Sequence, residues 1–365
     1  MKQELLIPFR DAVVQITTPY NREGTGFYLK QYGLIVTNEH VVRENRRVTV
    51  EGHGFTKTLT SVLYLDQKYD LAFLHAPAAL NVSTLPIKSN ALPKAGQEVI
   101  AIGHPFGMNF TFKQGHITQQ DLQDNISIYL FHNATLHPSN SGGPLIDVWG
   151  NVIGVNTFVI KDGKHIGLAL PTYVLEEIIG AFLKGNGDKA VRCHGCEHII
   201  FEQHVKGKHC PTCGAYLLPI AAIEEYEPYG VAKTIEEIIA RNGYEVELAR
   251  CGLNNWEIQR GSAKAVLNYH EDSGLIMGDA YLCILPKTNP ESIYQYLLRE
   301  NMALEGLTLS INPSGQDIIL SLLVYDRDLN IETGASLFKR LFDNADYYDN
   351  ILVEQYGASW KEINN

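Results

Sequence analysis

A chain of 365 residues is long enough for two or three domains, each burying its own core. Its apolar share of 45% and charged share of 19% are those of a folded globular protein, not a disordered one, and no apolar run approaches the length that spans a bilayer. A formal net charge of −11 argues against non-specific binding to nucleic acid or to an anionic membrane surface.

Residues 1–184 read mostly as strand. Short apolar runs between turn residues at 12–17, 26–29, 34–37, 47–50, 71–74, 98–102, 126–131, 145–147, 152–157 and 166–169 predict an all-β barrel or sandwich. A helix closes the segment, with Val174, Leu175, Ile178 and Ile179 on its apolar face and a Gly-Asn-Gly-Asp break at 185–188. Residues 189–218 hold two Cys-x-x-Cys pairs, and 219–230 read as a linker with Glu224, Glu225, Glu227 and Pro228. Residues 231–365 change character. A helix at 234–242 is followed by strands at 256–260, 263–269 and 275–285. Asn289-Pro290-Glu291 starts another helix, strands at 307–311 and 317–324 form a hairpin, and a final helix runs over 331–356 with Asn344 as the expected point of a break.

Three segments carry chemistry. His40 ends the apolar run Leu34-Ile35-Val36-Thr37-Asn38-Glu39-His40. Asp66 and Asp70 lie on one approach further along, Asp70 followed by Leu71-Ala72. Ser141 sits in Ser139-Asn140-Ser141-Gly142-Gly143-Pro144, where two glycines permit a tight turn beside a nucleophile. A serine needs a neighbouring imidazole to take its proton, and a carboxylate to orient that imidazole. The order His, Asp, Ser is that of chymotrypsin-type proteases, not of subtilisins or α/β-hydrolases. Ser141 is therefore expected as nucleophile, His40 as general base and Asp70 as its partner, with Asp66 as the alternative. The backbone N–H groups of Ser139 and Ser141 are expected to face the oxyanion.

These segments resemble the HtrA/Deg branch of trypsin-like serine proteases. Gly24-Thr25-Gly26-Phe27, Thr37-Asn38-Glu39-His40-Val41-Val42, Asp70-Leu71-Ala72, Ala101-Ile102-Gly103-His104-Pro105-Phe106-Gly107, the strand 150–157 and Gly167-Leu168-Ala169-Leu170-Pro171 match that family's motifs in order over about residues 8–184. The resemblance implies a double β-barrel over 1–188 and hydrolysis of protein or peptide substrates. It also places Thr135, six residues before Ser141, with Asn156, Thr157 and Phe158, along the substrate pocket. Thr135 is not acidic, so a small or medium apolar residue is expected before the cut bond. The family has glycine where this chain has Ser139, and a Cβ there works against the backbone angles of an oxyanion hole. That departure supports an alternative: a latent enzyme, or a non-catalytic peptide-binding scaffold on a protease fold. His104, His116, His132 and His137 are expected to be structural or surface residues.

Cys193, Cys196, Cys210 and Cys213 form two pairs thirteen residues apart. Two such knuckles present four thiolates to one point, which suits one structural zinc ion. The segment resembles a zinc ribbon; a redox dithiol is the alternative, and His194, His198, His204 and His209 are bystanders. Lys189, Arg192, Lys206 and Lys208 give it a locally basic cast. Clustered cysteines and the absence of an export signal in Met1–Pro8 lead to the expectation of a cytoplasmic protein. The α-β-β-β-α-β-β-α order after 231 resembles the α+β fold of class I type III secretion chaperones and YbjN-like domains. It implies recognition of a protein partner or homodimerisation; Cys251, Cys283 and His270 are expected to be packing or surface residues. The whole is expected to be multidomain: all-β double barrel, zinc ribbon, then α+β domain.

Overall fold

The structure, a computed structural model, describes residues 6–20, 23–78, 82–88, 93–104, 110–118, 128–134, 140–161, 164–286, 290–313 and 315–360, with the backbone alone for 158–161 and 164–166. The chain divides in the main into two compact units, the first running to Tyr226 and the second from Glu227. Among the described residues no helix is long and apolar enough to cross a membrane.

The first unit holds two antiparallel systems. Strands β1 (Val13–Thr17), β2 (Glu23–Leu29), β3 (Leu34–Thr37), β4 (Arg47–Gly52), β5 (Phe55–Asp66) and β6 (Leu71–His75) pair in the cyclic order β1-β2-β3-β6-β5-β4, so the sheet closes on itself without a free edge. Strands β7 (Glu98–Gly103), β8 (Thr111–His116), β9 (Leu130–His132), β10 (Pro144–Asp147), β11 (Val152–Lys161) and β12 (Lys164–Pro171) form a second sheet in the order β8-β7-β10-β11-β12-β9. Among the described residues its two ends meet around the bridge between Ile117 and His132, where the Thr118 N–H donates to the Phe131 carbonyl at 2.7 Å and the Asn133 N–H to the His116 carbonyl at 3.1 Å.

Large side chains fill the first barrel. The Tyr64 and Phe73 rings stack at 5.1 Å, and Phe182 approaches them at 5.6 and 5.4 Å. Phe182 comes from the closing helix α3 (Thr172–Phe182), which also buries Val174, Leu175, Ile178 and Ile179; each such side chain contributes about 1.5–3 kcal/mol through burial. Two short helices, α1 (Ile7–Ala12) and α2 (Glu39–Val42), and the strands β5 and β8 were not foreseen from the sequence. In β5 the polar residues Thr56, Lys57, Thr58, Thr60 and Ser61 break up its apolar run. In β8 only Gly115 is buried, so no alternation exists to be read.

The cysteine pairs lie within the first unit. Strands β13 (Ala190–Arg192) and β14 (Ile199–Phe201) form a hairpin, and β13 adds parallel to β5 with Ala190 opposite Tyr64 and Val191 opposite Leu65. The segment thus extends the sheet of the first barrel.

The second unit is α+β. Helices α4 (Gly230–Arg241) and α5 (Val246–Ala249) precede strands β15 (Arg250–Gly252), β16 (Asn255–Arg260), β17 (Ala263–His270) and β18 (Leu275–Ile284). Helix α6 (Glu291–Glu300), the hairpin β19 (Leu307–Ile311) and β20 (Asp317–Tyr325), helix α7 (Ile331–Tyr356) and a short β21 (Ser359–Trp360) follow. The sheet order is β15-β16-β17-β18-β20-β19, with β21 on β18. Helix α6 starts directly after Pro290; Asn289 lies outside the described residues. Helix α7 is capped by the Asn330 side chain, which accepts from the N–H groups of Glu332 and Thr333, and ends at Gly357 in the left-handed region (φ 71°). The break expected at Asn344 does not occur. The Asn344 amide donates to the Arg340 carbonyl one turn back, at 2.7 Å, and Phe338, Leu341, Phe342 and Ala345 keep the helix seated on the sheet. A buried ion pair ties α4 to the sheet: Arg250 donates twice to Glu236 at 2.6 Å, and the Trp256 indole N–H donates to the same carboxylate at 3.1 Å.

Candidate active site

His40 and Asp70 are brought together by the turns at the end of the first barrel. Thr37, the last residue of β3, donates its hydroxyl to the Thr25 carbonyl at 2.7 Å, and the Asn38 amide donates to the Asp70 carbonyl at 2.8 Å. These bonds fix the start of α2, which carries His40, against the turn that carries Asp70. Asp70 adopts φ 46°, a left-handed backbone costing about 1–2 kcal/mol for a residue with a Cβ. Contacts to its carboxylate offset that cost. His40 Nδ1 lies 2.9 Å from Oδ1 and 2.8 Å from Oδ2, the His40 backbone N–H donates to Oδ1 at 3.0 Å, and the Thr157 hydroxyl donates to Oδ2 at 2.9 Å. An ionised carboxylate can only accept, so Nδ1 carries the imidazole proton and Nε2 is left as the proton acceptor.

Ser141 sits in a turn pinned by both barrels. Its carbonyl accepts from the Thr25 N–H at 2.9 Å, while the Gly142 N–H donates to the Asn156 carbonyl at 2.8 Å. Gly142 needs to be glycine on two grounds: its φ is 87°, and a Cβ would stand 2.2 Å from the Thr25 carbonyl oxygen and 2.3 Å from the Thr37 hydroxyl. Ser141 is buried, and its Oγ makes no hydrogen bond among the described residues.

Asp66, the alternative partner for His40, is engaged elsewhere. It accepts from Arg192 Nε at 2.6 Å, from the Tyr64 hydroxyl at 2.7 Å and from the Tyr69 N–H at 3.2 Å. Arg192, grouped from the sequence with a basic surface, is therefore committed to a buried carboxylate. Thr157 and Asn156, expected along the substrate pocket, both have their polar groups turned inward: Thr157 holds Asp70, and the buried Asn156 amide donates to the Pro144 carbonyl at 2.9 Å. The part Thr157 plays spans two barrels and leaves no local signal. Ser139 and Thr135 lie outside the described residues, as does the Phe158 side chain. His104 is buried, its backbone N–H donating to the Thr25 hydroxyl at 3.0 Å. His132 is buried beneath Gly167, and burial holds its imidazole down at about 4.

The four cysteine sulfurs converge. Sγ atoms of Cys193, Cys196, Cys210 and Cys213 all lie within 4.8 Å of one another, with Cys193–Cys213 at 3.6 Å and Cys196–Cys210 at 3.7 Å. A tetrahedron of zinc–sulfur bonds about 2.3 Å long has edges of roughly 3.8 Å, so the donor set fits that ion. The two knuckles are built alike. Glu197 N–H donates to the Cys193 carbonyl at 2.8 Å, and Gly214 N–H to the Cys210 carbonyl at 2.9 Å.

Residues 24–155 match the sequence profile of the trypsin-like peptidase domain. The chain is similar to a probable periplasmic serine endoprotease DegP-like of Chlamydia pneumoniae, 29% identical over 315 residues that cover 81% of this chain and 63% of that protein. It is similar to the protein of the same name in Chlamydia muridarum, 31% identical over 236 residues, covering 61% of this chain and 46% of the relative. To the mitochondrial serine protease HTRA2 of Bos taurus it is 36% identical over 167 residues, covering 43% and 35%. The chain thus spans from about a third to under two thirds of these relatives' lengths.

The expectation of a cytoplasmic location is overturned by the chlamydial relatives, which are periplasmic by name. Cysteines that hold a metal ion are not free to pair as disulfides, so a cluster able to hold one does not report a redox compartment. Residues 24–155 are thus similar in sequence to the trypsin-like peptidase domain, and the chain to HtrA and DegP-like serine proteases.

Proposed function

We propose that this chain is a serine endopeptidase acting on protein or peptide substrates through Ser141, His40 and Asp70. The observation that carries the reading is the imidazole of His40, held at Nδ1 by both oxygens of Asp70 at 2.9 and 2.8 Å. Ser141 Oγ attacks the scissile carbonyl carbon while His40 Nε2 takes its proton. Asp70 stabilises the imidazolium so formed. The proton then passes to the leaving amine as the C–N bond breaks, and water, deprotonated by His40, releases the acyl group. Backbone N–H groups of Ser139 and Ser141 are the oxyanion donors in this reading; such a donor lowers the barrier by about 3–4 kcal/mol. The Ser141 Oγ, without a hydrogen bond among the described residues, is consistent with a site that tightens when substrate binds.

Cys193, Cys196, Cys210 and Cys213 hold one structural zinc ion in this reading, and the ion folds a segment too short to bury a core of its own. The second unit serves recognition of a polypeptide or a second copy of the chain. Support comes from α6, where Tyr294 and Leu298 recur at helical spacing, and from Met302 just past its end; they are 41%, 70% and 90% exposed. By likeness to the chlamydial relatives, the setting is extracytoplasmic.

The test is labelling with a fluorescent fluorophosphonate, wild type against Ser141→Ala. Labelling that disappears in the variant is the expected result. Its absence from both proteins, with and without added peptide, would sink the enzymatic reading in favour of a peptide-binding scaffold.

A further inference from the structure

We propose that the two-knuckle segment clamps the turn that presents Asp70, with Arg192 as the positioning residue, so that metal at the four cysteines governs the alignment of the His40–Asp70 pair. The proposal rests on the reading of Ser141, His40 and Asp70 as the hydrolytic site.

The turn 66–70 joins β5 to β6. At its start the fully buried Asp66 accepts from Arg192 Nε at 2.6 Å, and the Arg192 guanidinium lies 5.0 Å over the ring of Tyr69, the residue before Asp70. Arg192 Nη1 also donates to the Glu197 carbonyl at 2.5 Å, and the Glu197 carboxylate reaches Lys68 at 2.5 Å. Arg192 directly precedes Cys193, and Glu197 directly follows Cys196. The first knuckle therefore grips the turn from both of its flanks.

The two grips are unequal. Lys68 and Glu197 are 41% and 59% exposed, so water screens their attraction and the pair is weak. The Arg192 side chain is 13% exposed and Asp66 wholly buried, a pair whose loss strands a buried charge. Arg192 carries the clamp. The knuckles themselves supply a second observation. At matched positions Glu197 and Gly214 both take left-handed backbone, with φ 62° and 74°. Glycine does so freely, whereas glutamate is strained there. The strained residue is the one whose carboxylate reaches Lys68 in the turn and whose carbonyl accepts from Arg192.

Metal enters because it sets the knuckle. Arg192 and Glu197 adjoin ligands; pairing of β13 with β5 seats the backbone of Arg192, and the ion fixes the loop from Cys193 to Cys196 that sets Glu197, whose carbonyl aims the guanidinium. A turn released at Asp66 leaves Asp70 held by Asn38 and Thr157 but no longer from its own turn, and misplacement of about 1 Å at a reacting group costs up to about 100-fold in rate.

The experiment compares the full chain loaded with zinc, the same protein after chelation and zinc return, and the variants Arg192→Gln and Arg192→Lys. The readouts are kcat and KM on a peptide substrate and the low-field proton resonance of the His40 Nδ1–H···Asp70 bond. Chelation and Arg192→Gln should each lower kcat by about 10- to 100-fold with KM little changed, and shift or broaden the resonance. Zinc return restores both, Arg192→Lys recovers part of the rate, and zinc stoichiometry in the variants stays at wild type. Unchanged kcat and resonance in Arg192→Gln overturns the proposal, even if chelation alone inactivates, because the metal would then act by another route. A loss carried by KM alone overturns it as well. Asp70→Asn separates the two readings: wild-type kcat there refutes the hydrolytic site itself.

Discussion

Replacing Thr157 by valine removes one hydroxyl and keeps the shape of the side chain. That hydroxyl donates to Asp70 Oδ2 at 2.9 Å, the oxygen that His40 Nδ1 approaches at 2.8 Å. Among the described residues the other hydrogen bonds to the carboxylate come from His40, so Thr157 anchors it from the second barrel. A hydrogen bond to a charged acceptor is worth about 1.5–3 kcal/mol. Asp70 must be most firmly held when the imidazole becomes charged, so most of that loss falls on the transition state. It converts to a fall in kcat/KM of about 10- to 100-fold. Thr157 is only 7% exposed, so KM should hardly move. Thr157→Ser keeps a donor and should retain most of the rate. The assay is initial rates on an unstructured protein substrate, together with the second-order rate of fluorophosphonate labelling. Wild-type kcat/KM in Thr157→Val, beside an inactive Asp70→Asn, would refute the argument. Equal losses in the valine and serine variants would assign the effect to packing.

Gly142→Ala forces a Cβ to within 2.2 Å of the Thr25 carbonyl oxygen at φ 87°. The left-handed backbone alone costs about 1–2 kcal/mol, and relief of the overlap must displace Ser141, so labelling should be lost and the melting temperature lowered; a labelled variant would refute the steric argument. The folded chain holds His132 at about 4, below its ordinary 6.5, because burial disfavours the charged ring. The unfolded chain therefore binds this proton first as pH falls, so stability is full above pH 6.5 and declines toward pH 4. At about 1.4 kcal/mol per pH unit the loss approaches 3 kcal/mol. Urea unfolding of His132→Leu at pH 7 and pH 4.5 should show a flatter dependence than wild type, and an unchanged slope would count against the assignment. Arg250→Met leaves the buried carboxylate of Glu236 without its guanidinium, which costs about 3–5 kcal/mol. Unfolding followed by Trp256 fluorescence should show that loss, largely recovered when Glu236→Leu is added; no recovery would point to packing around the arginine stem.

How far the site was legible follows from how local its causes are. The Ser141 turn is written in the sequence because its demands, though set by distant strands, fall on residue type at the turn itself: Gly142 at φ 87° and Gly143, where a Cβ would meet the Ile102 carbonyl oxygen at 2.1 Å, admit no other residue. His40 is legible for a similar reason, since Thr37 and Asn38 just before it make the bonds that seat α2. Strand β5 was missed although it borders the Asp70 turn. Its identity comes from pairing with β4 on one side and β6 on the other, not from an apolar run. The element order of the second unit was readable because its buried faces recur at helical and strand periods, and the one expected break failed because Asn344 satisfies a carbonyl of its own helix.

Asp66 and Asp70 show where local legibility ends. Both are carboxylates on one turn, four residues apart, and no local property of 66–70 says which one meets His40. Leu71-Ala72 favours Asp70 by resemblance; the physical selection lies elsewhere. Asp66 is taken by Arg192, which follows it by 126 residues and lies beyond the whole second barrel. Asp70 is held from that barrel by Thr157, 87 residues on. One carboxylate is withdrawn by the cysteine-bearing segment and the other is anchored by β11, so the His40 pair depends on parts of the chain that carry none of its motif. A peptidase domain cut off at residue 188 would keep all three motif residues and still lack the guanidinium that occupies Asp66. It should therefore show a weaker His40–Asp70 resonance and slower labelling than the full chain, and a truncated protein that labels at the wild-type rate would refute this dependence.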